Sequence, residues 1–344
     1  MAGWKEDASG SFYNYLSRGC QVCRQGAGLV LFVTGACGRD CFYCPLSEER
    51  RGRDVVYANE REVKSTEDIL DEARLIGALG TGITGGEPLM KMDYVLECIR
   101  ALKEAFGPSH HVHLYTGLIP SLLALRMLRS AGLDEIRIHP PDSSDPDGLE
   151  RALREAKELG MDAGVEMPAL GPIPGVLHAV KNAEAFINLN ELEFSCTNQG
   201  ALERRGFRSK EDGCGAVGSE EVARKHFMDL GSKIHYCPSR FKDSVQLRER
   251  LKRRAQRVAR PFDAITEDGT LLYGEISGDA GRILEALRRL EIPFGAYSVE
   301  ENHVEISACV LEEISKELRS IGLITSLIER YPLEDGLVVE RIPL

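Results

Sequence analysis

The chain has 344 residues, of which 28% are charged and 43% are hydrophobic, an ordinary globular composition for one large domain or two. Its formal net charge of −11 excludes a global attraction to nucleic acids or to anionic membranes. The sequence contains no apolar run of about 18 residues and no hydrophobic secretory region at its start. We therefore expect a cytoplasmic protein with no membrane span.

Cysteine is unusually concentrated near the amino terminus. The chain has ten cysteines, and without a secretory signal these favour ligands, nucleophiles or core residues over a disulfide framework. Half of them lie before residue 45, at Cys20, Cys23, Cys37, Cys41 and Cys44. This crowding indicates one or two sites that use thiols.

Predicted strands and helices alternate from residue 29 to residue 196. The strands are LVLFVTG, TGITGGEP, HVHLYTG, EIRIHP, DAGVEMPAL and INLNELEFS. Among the helices, Ser65–Leu79 opens with a capping-box pattern, and Pro120–Gly132 has proline at its start and glycine at its end. Such alternation predicts a parallel sheet with outer helices. Six units are too few for a closed eight-fold barrel, so we predict a partial (β/α)6 TIM-like barrel with its active site at the carboxyl ends of the strands.

The rest of the chain divides around this barrel. We predict an amino-terminal segment with a CxxC motif at 1–28, the barrel at 29–196, an extension with a long loop and a basic helix at 197–260, and a small α+β domain at 261–344. The elements predicted for the last region are, in order, strand, helix, strand, strand, helix and strand. This order predicts a ferredoxin-like fold.

Two motifs follow the first two barrel strands. Cys37, Cys41 and Cys44 lie in the loop TGACGRDCFYCPLS, directly after the first strand. Three thiolates can hold three irons of a 4Fe–4S cube and leave the fourth iron open to a ligand. The second motif is GGEP, residues 85–88, whose glycines allow close backbone approach and whose Glu87 offers a carboxylate to an ammonium group.

These motifs resemble those of the radical S-adenosylmethionine (SAM) superfamily. The CxxxCxxC spacing, the aromatic Tyr43 before the last cysteine and GGEP at the end of the next strand carry the resemblance. It implies that a cluster on Cys37, Cys41 and Cys44 cleaves SAM reductively to a 5′-deoxyadenosyl radical, which abstracts hydrogen from a second substrate. It assigns no catalytic side chain beyond these ligands. The resemblance and the positions at strand ends together imply a set of residues that contact SAM or substrate. They are Tyr43, Gly85, Gly86, Glu87, Pro88, Thr116, Gly117, Arg137 and Glu166.

The chain also resembles uncharacterised, mainly archaeal, radical SAM proteins related to pyruvate-formate-lyase-activating enzymes. RGCQVCRQGAGLVLFVTGACGRDCFYCPLSEERRGRDVVYANE, INLNELEFS and HYCPSRFKDSVQLRERLKRRA carry this resemblance, which spans most of the chain. That family implies no particular substrate. Activating enzymes proper are shorter, which argues against simple glycyl-radical activation.

The CxxC of Cys20 and Cys23 precedes the first strand. Such a pair is half of a tetrahedral zinc site or of an auxiliary iron–sulfur site. His235 and Cys237, in HYC, are the best candidates for the other half. A redox-active dithiol and inert thiols are the alternatives.

A basic helix is predicted at about 243–259. Its apolar residues Leu247, Leu251, Ala255 and Val258 recur at helical spacing and predict a docking face. The basic residues expected to project elsewhere are Arg248, Lys252, Arg253, Arg254 and Arg257. They predict either an anion site or a solvated face, and the absence of interleaved aromatics weakens an RNA-binding role.

Together these features predict a radical SAM enzyme that acts on a small molecule or cofactor precursor. Its reductant would be a protein such as ferredoxin or flavodoxin, and its further cofactor a zinc ion or a second cluster. One alternative is radical modification of RNA or protein, including glycyl-radical activation. Another is a non-catalytic metal-binding protein, which would hold metal but not cleave SAM.

Overall fold

The structure, a computed structural model, describes residues 3–140, 145–211, 213–231 and 233–344. The chain forms two compact units, Met1–Leu247 and Arg248–Leu344. This division lies inside the predicted basic helix, before the boundary predicted at residue 261. The helix belongs to the second unit because a turn of that unit packs on it: a Cβ added at Gly269 would lie 2.6 Å from the backbone nitrogen of Lys252.

The first unit is built on one large sheet. Its strands are β1 (Lys5–Glu6), β2 (Phe12–Tyr13), β3 (Gly28–Phe32), β4 (Tyr57–Ala58), β5 (Arg61–Glu62), β6 (Gly80–Thr84), β7 (His111–Thr116), β8 (Glu135–Ile138), β9 (Asp162–Pro168), β10 (Phe186–Asn190) and β11 (Ile234–Cys237). Their order across the sheet is β1-β2-β11-β10-β9-β8-β7-β6-β3-β4-β5. The seven strands from β11 to β3 run parallel, and short antiparallel pairs lie at both edges.

The helices of the first unit lie before, between and after the parallel strands of this sheet. They are α1 (Arg18–Arg24), α2 (Thr66–Leu75), α3 (Met92–Phe106), α4 (Leu122–Ala131), α5 (Pro146–Glu158), α6 (Pro174–Asn182), α7 (Gln199–Glu203), α8 (Ser219–Leu230) and α9 (Ser239–Phe241). A 3₁₀ turn at Pro88–Lys91 precedes α3, and a π-helical turn at Lys242–Leu247 follows α9. This is the expected α/β architecture of a partial TIM-like barrel, with a seventh parallel strand, β11, beyond the predicted six. The sequence analysis assigned residues 197–260 to an extension and therefore placed that strand outside the barrel.

Alternate residues of the barrel strands point to opposite faces. One set packs with the helices in the main hydrophobic core and includes Leu114, Ile136, Val165, Leu189 and Tyr236. The other set lines a cavity on the inner face and is mostly polar: His113, Arg137, Glu166, Asn188 and His235. The barrel therefore has an apolar outer layer and a polar inner wall.

The second unit has its own sheet and core. Its elements are α10 (Arg248–Val258), β12 (Ala264–Ile265), β13 (Leu271–Ser277), α11 (Ala280–Arg289), β14 (Tyr297–Val299), β15 (His303–Ile306), α12 (Ala308–Ser320), β16 (Ile324–Arg330) and β17 (Val338–Pro343), with a 3₁₀ turn at Phe294–Ala296. The sheet order is β14-β15-β13-β16-β17, with every pairing antiparallel. Residues of α11 and α12, such as Leu287 and Leu311, form the core with strand residues such as Ile276.

One prediction for the basic helix is wrong. Arg254 does not project into solvent: it is 7% exposed, and its Nε donates to the carbonyl of Pro332 at 2.6 Å. A guanidinium carries five donors and a long apolar stem, so it can be buried where a carbonyl accepts from it. Leu251 and Ala255 are buried as the docking stripe requires. Within the described residues, none of the helices is both long and apolar enough for a membrane span.

Candidate active site

Helix α1 lies against the inner wall of the barrel. Its backbone comes so close to side chains of β7 and β8 that a Cβ at Gly19 would lie 2.4 Å from Arg137 Nη2 and 2.9 Å from His113 Nδ1. Glu135 fixes the start of the helix, because its carboxylate accepts from Ser17 Oγ at 2.9 Å and from the Gly19 amide at 3.0 Å. The CxxC of α1 is thereby held inside the barrel.

GGEP packs directly against the start of the cysteine loop. The amides of Gly86 and Glu87 donate to the carbonyls of Thr34 and Ala36 at 2.7 and 2.8 Å. A Cβ at Gly85 would lie 2.6 Å from the Thr34 oxygen, and one at Gly86 would lie 2.4 Å from the Ala36 oxygen. Only glycine allows this approach. The motif therefore sets the position of the backbone that leads into Cys37.

Glu87 is turned toward the chain itself. It is 2% exposed, and its carboxylate accepts from the Leu89 amide at 3.0 Å, Thr116 Oγ1 at 2.8 Å and the Gly117 amide at 2.6 Å. These bonds join the ends of β6 and β7. Of the nine residues predicted to contact SAM or substrate, Glu87 is the one that does not line the cavity.

The distal part of the cysteine loop is held by three polar side chains. Arg39 Nη1 donates to the carbonyls of Gly117 and His139 at 3.1 and 2.8 Å. His139 Nδ1 donates to the Glu166 carbonyl at 2.9 Å, and its Nε2 lies 2.9 Å from the Tyr43 hydroxyl. Asn198 Nδ2 donates to the Tyr43 carbonyl at 3.0 Å. The sequence analysis missed Arg39 and Asn198, for which no local pattern gives a signal.

One cavity of about 690 Å³ joins these parts. Cys37, Cys41 and Cys44 line it, together with Gly85, Gly86 and the other strand-end residues. It continues along the inner wall of the barrel to Cys20, Cys23, Cys237 and Lys242. The structure thus brings both groups of cysteines to a single space.

Arg137 lies at the centre of the polar wall. Its Nε donates to Glu135 Oε1 and its Nη1 to Glu166 Oε2, both at 2.6 Å, while Nη2 donates to Ser17 Oγ at 3.1 Å. Burial alone would raise the pKa of both carboxyls, but Arg137 holds the pKa of Glu166 below, and that of Glu135 well below, the ordinary value of 4.5. Asn190 and Asn188 support Glu166 with donors at 3.0 and 2.9 Å.

The second group of cysteines lies deeper along the same wall. Burial raises the pKa of Cys23 to about 12 and that of Cys237 well above 9.0. Burial also lowers the pKa of His235 to about 3, so its imidazole is neutral. Among residues 3–140, 145–211, 213–231 and 233–344, no three His, Cys, Asp or Glu side chains are grouped closely enough to hold a metal ion. This holds for the second group and for Cys37, Cys41 and Cys44 alike.

The first group fits a cluster by its chemistry. Cys37, Cys41 and Cys44 are free thiols of one short loop, exposed or half-buried, and all three face the cavity. Thiolates are the usual protein ligands of a 4Fe–4S cluster. The loop, GGEP and the strand ends beside them have the features of an iron–sulfur enzyme site at the carboxyl edge of a barrel sheet.

Comparison with known proteins agrees with this class. The model of the radical SAM superfamily matches residues 31–171, and that of a domain of unknown function, DUF8061, matches residues 269–344. The chain belongs to the radical SAM superfamily and is an enzyme of the class that uses a 4Fe–4S cluster and SAM.

A relative from Methanocaldococcus jannaschii is named "Putative glycyl-radical enzyme activating enzyme MJ0021". It is 39% identical over 357 aligned positions, which cover 96% of this chain and 94% of the relative.

Two solved structures are more distantly similar. Methylornithine synthase is 14% identical and has a TM-score of 0.42, with 63% of this chain and 74% of that chain covered. Streptococcus suis SuiB bound to its precursor peptide SuiA is 13% identical and also has a TM-score of 0.42, with 66% and 54% covered. Neither likeness bears on the reaction.

Proposed function

We propose that this enzyme binds its cluster through Cys37, Cys41 and Cys44 and takes hydrogen from a small polar molecule held on the inner wall of the barrel. The observation that carries the proposal is the shared cavity, which extends from the three thiols to the wall of polar side chains. Its volume of about 690 Å³ has to hold the cluster and SAM as well as the substrate, which favours a small substrate.

When bound, the cluster and SAM supply a one-electron cleavage that yields a 5′-deoxyadenosyl radical. The protein positions the reactants and excludes water. Gly85, Gly86, Pro88, Thr116 and Gly117 form the wall nearest the cysteine loop, and we assign contact with SAM to them together with Tyr43. Glu87 supports that wall through Thr116 and Gly117.

The substrate would lie deeper in the cavity. Arg137 and Glu166 line it but bond to one another, so they offer a nearly neutral, hydrogen-bonding surface. Asn188, Asn190 and His235 add neutral polar groups to the same wall. Such a surface suits an uncharged or zwitterionic polar molecule better than an apolar one, because a buried polar group that finds no partner costs free energy.

Activation of a glycyl-radical protein is the second candidate, and the name of the archaeal relative favours it. In that case the glycine-bearing segment of a protein would enter the cavity. The two candidates differ in the size of the substrate.

The first experiment is anaerobic reconstitution, with iron, sulfide and zinc counted, followed by addition of dithionite and SAM and assay of 5′-deoxyadenosine. We expect deoxyadenosine from the wild-type chain and none from Cys41→Ala. Cys98→Ala is the matched control, because Cys98 is buried on α3 and does not line the cavity. Normal SAM cleavage by Cys41→Ala would contradict the assignment of the cluster ligands.

Size fractionation then distinguishes the two candidate substrates. Cell extract of the source organism is separated by ultrafiltration into a small-metabolite fraction and a macromolecular fraction. A small substrate predicts that the metabolite fraction stimulates deoxyadenosine formation. Stimulation by the macromolecular fraction alone, lost after protease but not after ribonuclease, would instead favour a protein substrate.

We also propose a ferredoxin-like fold for the second unit. Its β13, β14, β15 and β16 carry the βαββαβ order, and the sheet order β14-β15-β13-β16 with antiparallel neighbours supports this assignment. We retain the prediction that a ferredoxin or flavodoxin supplies the electron. The ten free thiols are in keeping with a reducing compartment such as the cytoplasm.

A further inference from the structure

Three thiols of the inner barrel remain without a role in SAM binding. Cys20 and Cys23 lie one turn apart on α1, and Cys237 ends β11. All three are free and line the cavity that the cluster loop also lines. A carbon-centred radical formed in this cavity would therefore share its space with three S–H groups.

The surroundings of these thiols do not resemble a metal site. Asn188 Nδ2 and Arg137 Nη2 donate to the sulfur of Cys20 at 3.4 and 3.6 Å, so fixed donors occupy one side of this atom. A thiol that holds no metal keeps its hydrogen.

We propose that Cys23 is a hydrogen-atom donor to carbon radicals formed in the cavity, with Cys20 and Cys237 as neighbouring thiols that exchange hydrogen with it. This inference rests on the proposed function. In the step, the S–H bond of Cys23 breaks and a C–H bond forms, which leaves a thiyl radical. One electron from a ferredoxin- or flavodoxin-type reductant and one proton from water then restore the thiol.

Cys23 suits this role better than Cys20. It is half-buried and faces the cavity, whereas Cys20 is 6% exposed and its sulfur accepts two hydrogen bonds. An S–H bond is weaker than the C–H bonds of saturated carbon, so transfer to a carbon radical is favourable. An O–H bond is stronger than such C–H bonds, so serine in the same place could not donate.

The test uses hydrogen exchange and needs no second substrate. The reconstituted enzyme is equilibrated in D₂O, which replaces S–H by S–D, and is then given SAM and dithionite. We expect the wild-type chain to form deoxyadenosine that contains one deuterium, measured by mass spectrometry. Cys23→Ser should still form deoxyadenosine, but the deuterated fraction should fall to the level left by solvent background.

Cys98→Ala is the control, because it removes a buried thiol that does not line the cavity. It should keep the wild-type deuterated fraction. An unchanged deuterated fraction in Cys23→Ser would overturn the proposal. Failure of the wild-type chain to form any deoxyadenosine would instead refute the proposed function on which it rests.

Metal analysis provides a second readout that is independent of turnover. The chain without cluster is titrated with zinc, and the reconstituted chain is analysed for iron. If Cys23 is a hydrogen donor, we expect equal zinc and equal iron in wild-type and Cys23→Ser chains. A zinc ion or additional irons bound by the wild-type chain and lost in Cys23→Ser would show that these thiols are ligands, and would overturn the proposal.

Discussion

Arg137→Met tests whether the inner wall of the barrel depends on one buried cation. Methionine keeps the length and most of the volume of the side chain but removes the charge between Glu135 and Glu166. Both Arg137, at 4% exposure, and Glu135, at 0%, are shielded from water. Removal of one member of a buried ion pair typically costs about 3–5 kcal/mol, because the remaining charge is left without compensation. At about 2–4 °C per kcal/mol for a unit of this size, we expect Tm to fall by roughly 6–20 °C at pH 7.

The loss of thermal stability in Arg137→Met should depend on pH in a defined direction. In the wild-type chain Arg137 keeps the pKa of Glu135 and Glu166 below 4.5, so their contribution to stability is present above pH 4.5 and is lost as the pH falls through their folded-state pKa values. In Arg137→Met, burial raises both pKa values. The carboxylates then destabilise the fold at neutral pH, and this penalty diminishes as the pH falls and they become protonated. The difference in Tm between the two chains should therefore shrink from pH 7 toward pH 4.5.

Trp4 makes this unit separately observable. It is the single tryptophan of the chain and lies 5.1 Å from Phe227 and 6.0 Å from Phe12, ring to ring, within the first unit. Thermal unfolding followed by tryptophan fluorescence reports on that unit alone. Arg74→Met is the matched control: Arg74 bridges Glu67 and Asp71 on the exposed surface of α2, where an ion pair contributes little. An Arg137→Met chain that melts at the wild-type temperature at pH 7 would refute the reasoning.

Two further substitutions test the geometry of the loop. Gly86→Ala should lower the iron bound after reconstitution, because the new methyl would lie 2.4 Å from the Ala36 carbonyl and displace the chain before Cys37. Gly171→Ala is the control and should bind iron normally, because its new methyl would meet no atom within 4 Å. Equal iron in the two variants would contradict this view. Glu87→Gln should reduce the stability of the first unit by about 1.5–3 kcal/mol, since it weakens charge-assisted bonds to Thr116 and Gly117. Tryptophan-monitored urea unfolding measures this loss, and a midpoint equal to that of the wild type would show that Glu87 does not support the strand ends.

The sequence predicts the strands better than it predicts their inner face. Apolar runs identify β3 and β6–β10, because buried parallel strands are hydrophobic on the side that faces the helices. The order of the motifs along the chain then places the cysteine loop and GGEP at the same edge of the sheet. The alternation in INLN and IHYC also marks one polar side of β10 and β11, a signal that the sequence analysis did not use for Asn188 and Asn190.

Other parts of the site have no local signature. The bond between Ser17 and Arg137 joins residues separated by 120 positions, and that between Asn198 and Tyr43 joins residues separated by 155. No spacing rule predicts such pairs, because they depend on how α1 and the loop after β10 pack against the finished sheet. The same limitation explains Glu87, whose carboxylate meets Thr116 and Gly117 only when β6 and β7 are adjacent.

The pairing of β2 with β11 has a consequence for biosynthesis. The amino-terminal hairpin completes the edge of the barrel through contacts such as Ser11 with His235, which are 224 residues apart in sequence. During translation the first segments leave the ribosome long before their partner strand exists, and contacts of such sequence separation form slowly. The helix that carries Cys20 and Cys23 is anchored by Glu135 and Arg137 of β8, so it can dock only after β8 is made, while β3, the cysteine loop and β6 can associate earlier. The loop that receives the cluster can thus be assembled before the innermost thiols are enclosed.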